Sequence, residues 1–352
     1  MDAAAKDFLR RLLETPSPSG YERPVQDVVR EYARPFTDSI RTDVHGNVIL
    51  AHQPNAAMRV MLAGHCDQIG LLVSQIDENG FLYTQTIGGW DPQQLIGQRM
   101  TIWGAAGPIP AVISRKPIHL LKEEERKQVA KLEELWLDIG ARDKAEVAAL
   151  VKIGDPVTLE LGMREMRNGL ANSPAMDNKT GVWIVVEALR RAVKLGVNVG
   201  LFAVSTVQEE IGLRGAQTST FGIDPHVGIA VDVTHATDCP GIDRKQLGDI
   251  GLGKGPVIFR GPNINPKVHE RLVAICTQRE WAYQPAAVGR ATPNDANTIQ
   301  VSRAGVATGL VSTPNRYMHS AVEMVSLDDL DRSADLLAAF CADLTGSDDF
   351  TP

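Results

Sequence analysis

The stretch 202-FAVSTVQEEIG-212 poses the question on which the fold reading turns. Leu201 to Val207 is an apolar run of strand length, and it stops at two adjacent acids, Glu209 and Glu210, with an Ile-Gly turn behind them. A carboxylate at the end of a core strand is costly to desolvate, and a second one beside it adds like-charge repulsion. The pair therefore calls for a cation opposite it.

Working outward, the segments around this strand alternate between two patterns. The runs 59-RVMLAGH-65, 226-HVGIAVDV-233 and 307-ATGLVSTP-314 read as strands, while 181-GVWIVVEALRRAVKLG-196, 266-PKVHERLVAICTQRE-280 and 327-LDDLDRSADLLAAFCADL-344 read as helices. Short apolar strands interleaved with helices imply an α/β fold, a mostly parallel sheet sandwiched by helices. The middle of the chain differs. There, 70-GLLVSQIDENGFLYTQTIGGW-90 is strand, turn at Glu78-Asn79-Gly80, strand, a hairpin signal. Short strands punctuated by Gly and Pro follow (99-RMTIWG-104, 108-PIPAVIS-114, 155-DPVTLEL-161), interrupted by the charged run 122-KEEERKQVAKLEELWLDIG-140. Mixed charge of this kind reads as a solvated helix or loop. The chain is thus expected to form an α/β domain from residues 1–66 and 167–352, with a small β-rich domain, 67–166, inserted into it.

Composition narrows the functional classes. Hydrophobic residues make up 43% of the 352 and charged residues 22%, an ordinary globular balance. A net charge of −7 counts against nucleic acid or an anionic membrane as the main partner. No apolar run approaches the roughly 20 residues of a membrane span. The first residues, 1-MDAAAKDFLRRLLETPSPSG-20, read as an amphipathic helix ended by Pro16 and Pro18 rather than as an export signal. Cys66, Cys239, Cys276 and Cys341 are scattered without a CxxC pair and read as reduced core residues. A cytoplasmic protein is expected. The glycines of 251-GLGKGP-256 are spaced like a dinucleotide fingerprint, but no βαβ unit follows and Pro256 intervenes, so they read as a loop.

The candidate chemistry lies just past the strands. His65 and Asp67 end the first, Glu209 and Glu210 follow the second, Asp232 lies near the end of the third, and the fourth runs out to His319. Asp177 stands on the loop before the helix that starts near Thr180. In a parallel sheet the carboxyl ends of the strands share one edge, and that edge is where ligands bind. Imidazole mixed with carboxylate suits zinc, cobalt or manganese. Singly, each residue has an ordinary explanation: Asp177 as a helix N-cap, Asp232 as a turn cap, either histidine as a satisfied core or surface residue. Their agreement on one sheet edge is the stronger signal.

The motifs AGHCDQIG, NSPAMDNKTG, STVQEEIGLRGA, IAVDVTHA and NRYMHSAVEMVSLDDL together resemble the M42 metallopeptidases, the family of glutamyl and tetrahedral aminopeptidases, some carrying the name endoglucanase M. The likeness runs nearly end to end and includes LWLDIGA and KIGDPVTL in the middle of the chain. It implies a di-metal aminopeptidase acting on peptide substrates. His65, Asp177 and Asp232 would hold one divalent ion and Asp177, Glu210 and His319 the other, with Asp177 bridging. Zinc comes first among the candidates, then cobalt or manganese. Glu209 matches the catalytic glutamate, and Asp67 the carboxylate that orients a ligand imidazole. Residues 67–166 resemble the family's dimerisation domain, so a homo-oligomer, from a dimer up to a dodecamer, is expected. Cys66, Gln68 and Lys179 depart from common family residues, none at a ligand position. In 289-GRATPNDANTIQ-300, Asp295 matches an acid near the substrate, although the Thr-Pro-Asn before it is unusual.

Rival readings stay in view. Adjacent glutamates are a poor pair for glycoside hydrolysis, which needs carboxyls flanking a sugar. A related di-metal carboxypeptidase or N-acyl-amino-acid deacylase would need a cation to clamp the substrate carboxylate, with Arg214, Arg290 and Arg316 as candidates. A catalytically silent oligomeric scaffold is the remaining alternative. His235 and Asp238 are further candidates to line the crevice, and His45 reads as a turn residue.

Overall fold

In the computed structural model, which describes residues 1–352, the strand Arg59–His65 lies near the middle of an eight-stranded sheet. Its residues face two ways, as the two-residue period of a strand requires. Val60 and Leu62 join one apolar cluster, with the helices Ala3–Glu14, Arg23–Ala33, Met176–Leu195, Pro266–Gln278 and Leu327–Asp343. Met61 and Ala63 join another, with the helices Arg214–Ile223 and Asp295–Gln300. Both faces of the sheet are thus covered, which explains the near-continuous apolar character of its central strands.

The sheet order is Ser39–Thr42, Val48–His52, Gly200–Thr206, Arg59–His65, Val227–His235, Ala307–Asn315, Val257–Arg260 and Gln284–Ala287. The four central strands, from Gly200–Thr206 to Ala307–Asn315, run parallel. The outer pairs are joined to them antiparallel, although Val257–Arg260 and Gln284–Ala287 run parallel to each other. Val48–His52 is antiparallel to Gly200–Thr206, and Val257–Arg260 is antiparallel to Ala307–Asn315. A mostly parallel sheet therefore describes the centre only. At the first edge the cause is local: the Asp43 carboxylate accepts the N–H groups of His45, Gly46 and Asn47, closing a hairpin between Ser39–Thr42 and Val48–His52. His45 is a turn residue here, within hydrogen-bond distance of Thr218 and Gln208.

Register aligns the functional edge. His65 pairs with Thr206 and Asp232 with Ser312, so four parallel strands end together. The strand carrying His65 is pressed against the helix that begins at Met176, and the two meet at Gly64 and Gly181. A Cβ on Gly64 would lie 2.5 Å from the Gly181 carbonyl carbon.

Six further strands close into a barrel in the order Gly70–Ile76, Leu82–Ile87, Trp136–Asp138, Gly107–Ser114, Arg99–Gly104 and Pro156–Leu159. It has its own apolar core, including Leu71, Leu82, Ile102, Ile113, Leu137 and Val157. The charged run 122–140 departs from its reading as helix or loop. After a short helix, Glu123–Arg126, and a 3-10 turn, Leu132–Glu134, it ends in Trp136–Asp138, the strand that closes the barrel. Three residues behind a dense charge run carry too little periodicity to be seen. A small sheet of Arg164–Glu165, Leu170–Asn172 and Met324–Ser326 brings the chain back towards the functional edge. No helix is long and apolar enough to cross a membrane.

Gly64→Ala forces strand and helix apart at the point where His65 and Asp177 are juxtaposed. Overpacking of this kind costs about 1–3 kcal/mol. Chemical denaturation is expected to show that loss, and an unchanged midpoint would contradict the close-approach account.

Candidate metal centre

Beyond Thr206 the backbone leaves the strand, and Gln208 adopts a left-handed conformation (φ +54°). In extended backbone the side chains of Glu209 and Glu210 would point to opposite sides. The turn re-aims them, and both reach the same cluster of histidines and acids.

The cluster gathers every ligand position expected from the sequence. His65 Nε2 lies 3.2 Å from Asp177 Oδ1, 3.7 Å from Asp232 Oδ1 and 3.7 Å from Glu209 Oε2. His319 Nε2 lies 3.3 Å from Asp177 Oδ2 and 3.5 Å from Glu210 Oε2. The two oxygens of Asp177 thus face two different histidines. Asp177 does not cap its helix; the capping position is Ala175, and the Asp177–Asn178 peptide is cis. Cys66 is wholly buried in the apolar core and belongs to neither group of potential ligands.

Supporting contacts orient the cluster. His65 Nδ1 lies 3.1 Å from the Asp67 carbonyl and His319 Nδ1 2.8 Å from the Gly89 carbonyl. A carbonyl only accepts, so each Nδ1 donates; each Nε2 faces the acids, to which it donates when the ring is protonated, and its lone pair would serve a metal once that proton is displaced. The Asp67 side chain, expected to orient an imidazole, stands 3.5 Å from His65 Nδ1 and does more besides. It accepts the N–H of Glu209 at 3.0 Å, the N–H of Glu210 at 3.1 Å and the Ser19 hydroxyl at 2.6 Å, so it fixes the acidic turn.

Two supports were not read from the sequence. Glu323, 2% exposed, accepts the N–H of Asp177 and the N–H of His319, both at 2.8 Å, and so ties two strand-end loops together. Gly89 reaches the cluster from the segment preceding the barrel strand Arg99–Gly104. Asp295 is buried close by, with one oxygen accepting the Thr206 hydroxyl at 2.7 Å and the other unpaired.

Charge is the dominant feature. No lysine or arginine pairs with Asp67, Asp177, Glu209, Glu210, Asp232, Asp295 or Glu323; their only cationic neighbours within ion-pair distance are His65 and His319. Burial, with the neighbouring acids, pushes the carboxyls of Glu209, Glu210 and Asp232 above the ordinary range. Burial likewise raises Asp295 to about 7 and Glu323 to about 8. Burial opposes ionisation of Asp177 too, but hydrogen bonds from His319 and His65 outweigh it and hold that carboxyl low. Burial also disfavours a charged His65, yet Glu209 and the aspartates around it raise its pKa well above normal.

The donor set fits divalent cations. Ligands about 2.0–2.1 Å from a tetrahedral zinc stand roughly 3.3 Å from one another, close to the separations around each Nε2. Glu210 Oε1 is buried without a hydrogen-bond partner, the condition of a ligand atom awaiting its ion. Two overlapping sets, His65–Glu209–Asp232 and His65–Asp177–Glu210, have ligand atoms close enough to share a metal; they differ from the two sets the resemblance implies, since His65 is in both, His319 in neither, and Glu209 stands in place of Asp177 beside His65 and Asp232.

A cavity of about 690 Å³ opens over the cluster. His235 and Arg290 line it; Asp238 does not, being paired with Arg316 at 2.7 Å. Arg214 lies outside it, which leaves Arg290 as the one candidate carboxylate clamp. A larger cavity, about 820 Å³, lies between the N-terminal loop and the barrel, but it contains no such cluster of histidines and acids.

Glu323→Gln replaces one of two accepting oxygens by an amide donor and leaves a buried N–H unpaired, at a cost of about 1–3 kcal/mol. Equilibrium unfolding is expected to register that loss, and elemental analysis a lower metal content. Wild-type values in both would remove Glu323 from its positioning role.

The model of the M42 glutamyl aminopeptidase family matches residues 46–336. Lysyl aminopeptidase of Pyrococcus furiosus is 36% identical, over 98% of this chain and 99% of its own. A TET aminopeptidase from a marine-sediment Thaumarchaeota archaeon superposes with a TM-score of 0.93 at 32% identity, covering 97% of this chain and 96% of the other. Pyrococcus horikoshii TET1 peptidase, which can assemble into a tetrahedron or a large octahedral shell, gives a TM-score of 0.85 at 28% identity, over 97% and 100% of the two chains. With its strand-end histidines and acids gathered at one sheet edge and its match to the family model over most of its length, the chain belongs to the M42 glutamyl aminopeptidase family.

Proposed function

We propose that the protein is a di-metal aminopeptidase that removes N-terminal residues from peptides. The observation that carries this reading is Asp177, whose two oxygens stand 3.2 and 3.3 Å from the Nε2 atoms of two separate histidines. His65 and Asp232 would share one ion with Asp177, and His319 and Glu210 the other. Two divalent cations held there, zinc first and cobalt or manganese as alternatives, supply Lewis acidity that polarises the scissile carbonyl and makes water easier to deprotonate.

The chain's own groups do the rest. Glu209 is buried, bound to neither lysine nor arginine, and held by the Asp67 bond to its N–H. Its carboxylate takes the proton of the attacking water and returns it to the departing amine. The free α-amine of a peptide, in its neutral form, would complete the coordination of one of the ions held there, which would set the register at the first peptide bond. An N-acylated substrate lacks that basic nitrogen, which separates this reading from a deacylase.

We further propose that residues 67–166 form an inserted domain that mediates self-association into a homo-oligomer, in keeping with their closed barrel and separate core. A cytoplasmic setting suits the four free cysteines.

Glu209→Gln is expected to keep its metal and its fold and to lose about 10²–10⁴ in kcat. Near-wild-type turnover would take Glu209 out of the base role. Chelation is expected to abolish cleavage of aminoacyl-p-nitroanilides, a divalent metal to restore it, and N-acetylation of the substrate to block it. Cleavage of the acetylated compounds would favour the deacylase instead.

A further inference from the structure

Resting on the aminopeptidase reading, the cavity beside the cluster carries information about which side chain it admits. It runs along the carboxyl ends of Val227–His235 and Ala307–Asn315 and is closed by the segment 287–294. Its larger apolar lining residues are Val233, Leu247, Phe259, Val288, Leu310 and Met318, with Ala287 beside them. Outside the cluster, the buried polar residues of the lining, Thr292, Asn294 and Ser312, are uncharged. Apart from the cluster itself, no carboxylate lines the cavity. Arg290, on the exposed segment at its rim, is paired with no acid.

We infer that the cavity selects peptides whose first residue is uncharged and apolar, and that it rejects lysine and arginine. A lysine ammonium brought against these walls gives up its hydration and meets no counter-charge. Arg290 adds repulsion at the entrance. A glutamate gains attraction to Arg290, but at an exposed position where water and salt screen it, and its carboxylate still has to be desolvated against neutral walls. A leucine or methionine loses nothing comparable and buries its side chain against the apolar residues of the lining. This departs from the activity named for the 36% identical relative, a lysyl aminopeptidase. In its terms, overall similarity does not carry the preference, because the preference depends on a charge that this cavity does not supply.

The test compares kcat/KM for leucyl-, methionyl-, glutamyl- and lysyl-p-nitroanilide with the metal-loaded protein. Leucyl or methionyl is expected to exceed both charged substrates at least tenfold. A lysyl or glutamyl rate equal to or above leucyl would overturn the inference and leave the aminopeptidase reading standing. If no free-amine substrate is cut, that reading falls and this inference falls with it. Arg290→Glu, a surface change, is expected to move the lysyl-to-leucyl ratio at least fivefold towards lysine; an unmoved ratio would contradict the placement of Arg290 at the entrance. Calorimetric titration of leucinamide and lysinamide into the Glu209→Gln protein reads binding without turnover. Leucinamide is expected to bind at least tenfold more tightly, and equal affinities would contradict the proposal.

Discussion

Asp177, Glu209, Glu210 and Asp232 crowd around two imidazoles with no lysine or arginine among them, and the rest of the site follows from the need to neutralise them. Like charges at this spacing are unfavourable in a buried setting. The chain could have relieved them with a guanidinium, and elsewhere it does so: Glu187 is wholly buried and paired with Arg190 and Arg191. At the sheet edge that solution is withheld, and the facing histidines and acids form groups that could hold a metal ion.

Holding such a cluster together requires that the backbone around it be tied down, because repulsion would otherwise open the loops. Asp67 bonds two successive N–H groups of the acidic turn, and Glu323 bonds the N–H groups of Asp177 and His319. These acids work through main-chain donors and leave the facing side chains free for a ligand, a division of labour common around metal sites. The Gly89 carbonyl brings the barrel side of the molecule into the same arrangement by fixing the His319 ring. If His319 holds a metal as proposed, metal binding and the placement of the barrel would be coupled through that one histidine.

Much of this is visible in the sequence, for identifiable reasons. Polar residues directly after apolar strands are conspicuous, and a parallel sheet aligns those ends, so His65, Glu209, Glu210, Asp232 and His319 could be grouped before any geometry was known. Asp177 was harder, since an acid ahead of a helix is commonly a cap; only its two-sided contact separates the roles. Glu323 could not be singled out. It lies four residues past His319 in an irregular segment, and nothing in spacing distinguishes an acid that accepts backbone N–H groups from one on the surface. The antiparallel outer strands and the barrel-closing Trp136–Asp138 were hidden likewise, because pairing direction and very short strands depend on tertiary contacts rather than on periodicity.

The central claim is that one carboxylate joins two cations. Crystals grown with zinc and measured on both sides of its absorption edge test it most directly. The account predicts two anomalous peaks per subunit, one beside each Nε2, with one Asp177 oxygen on each. A single peak, or two peaks with Asp177 bound to only one, would contradict it.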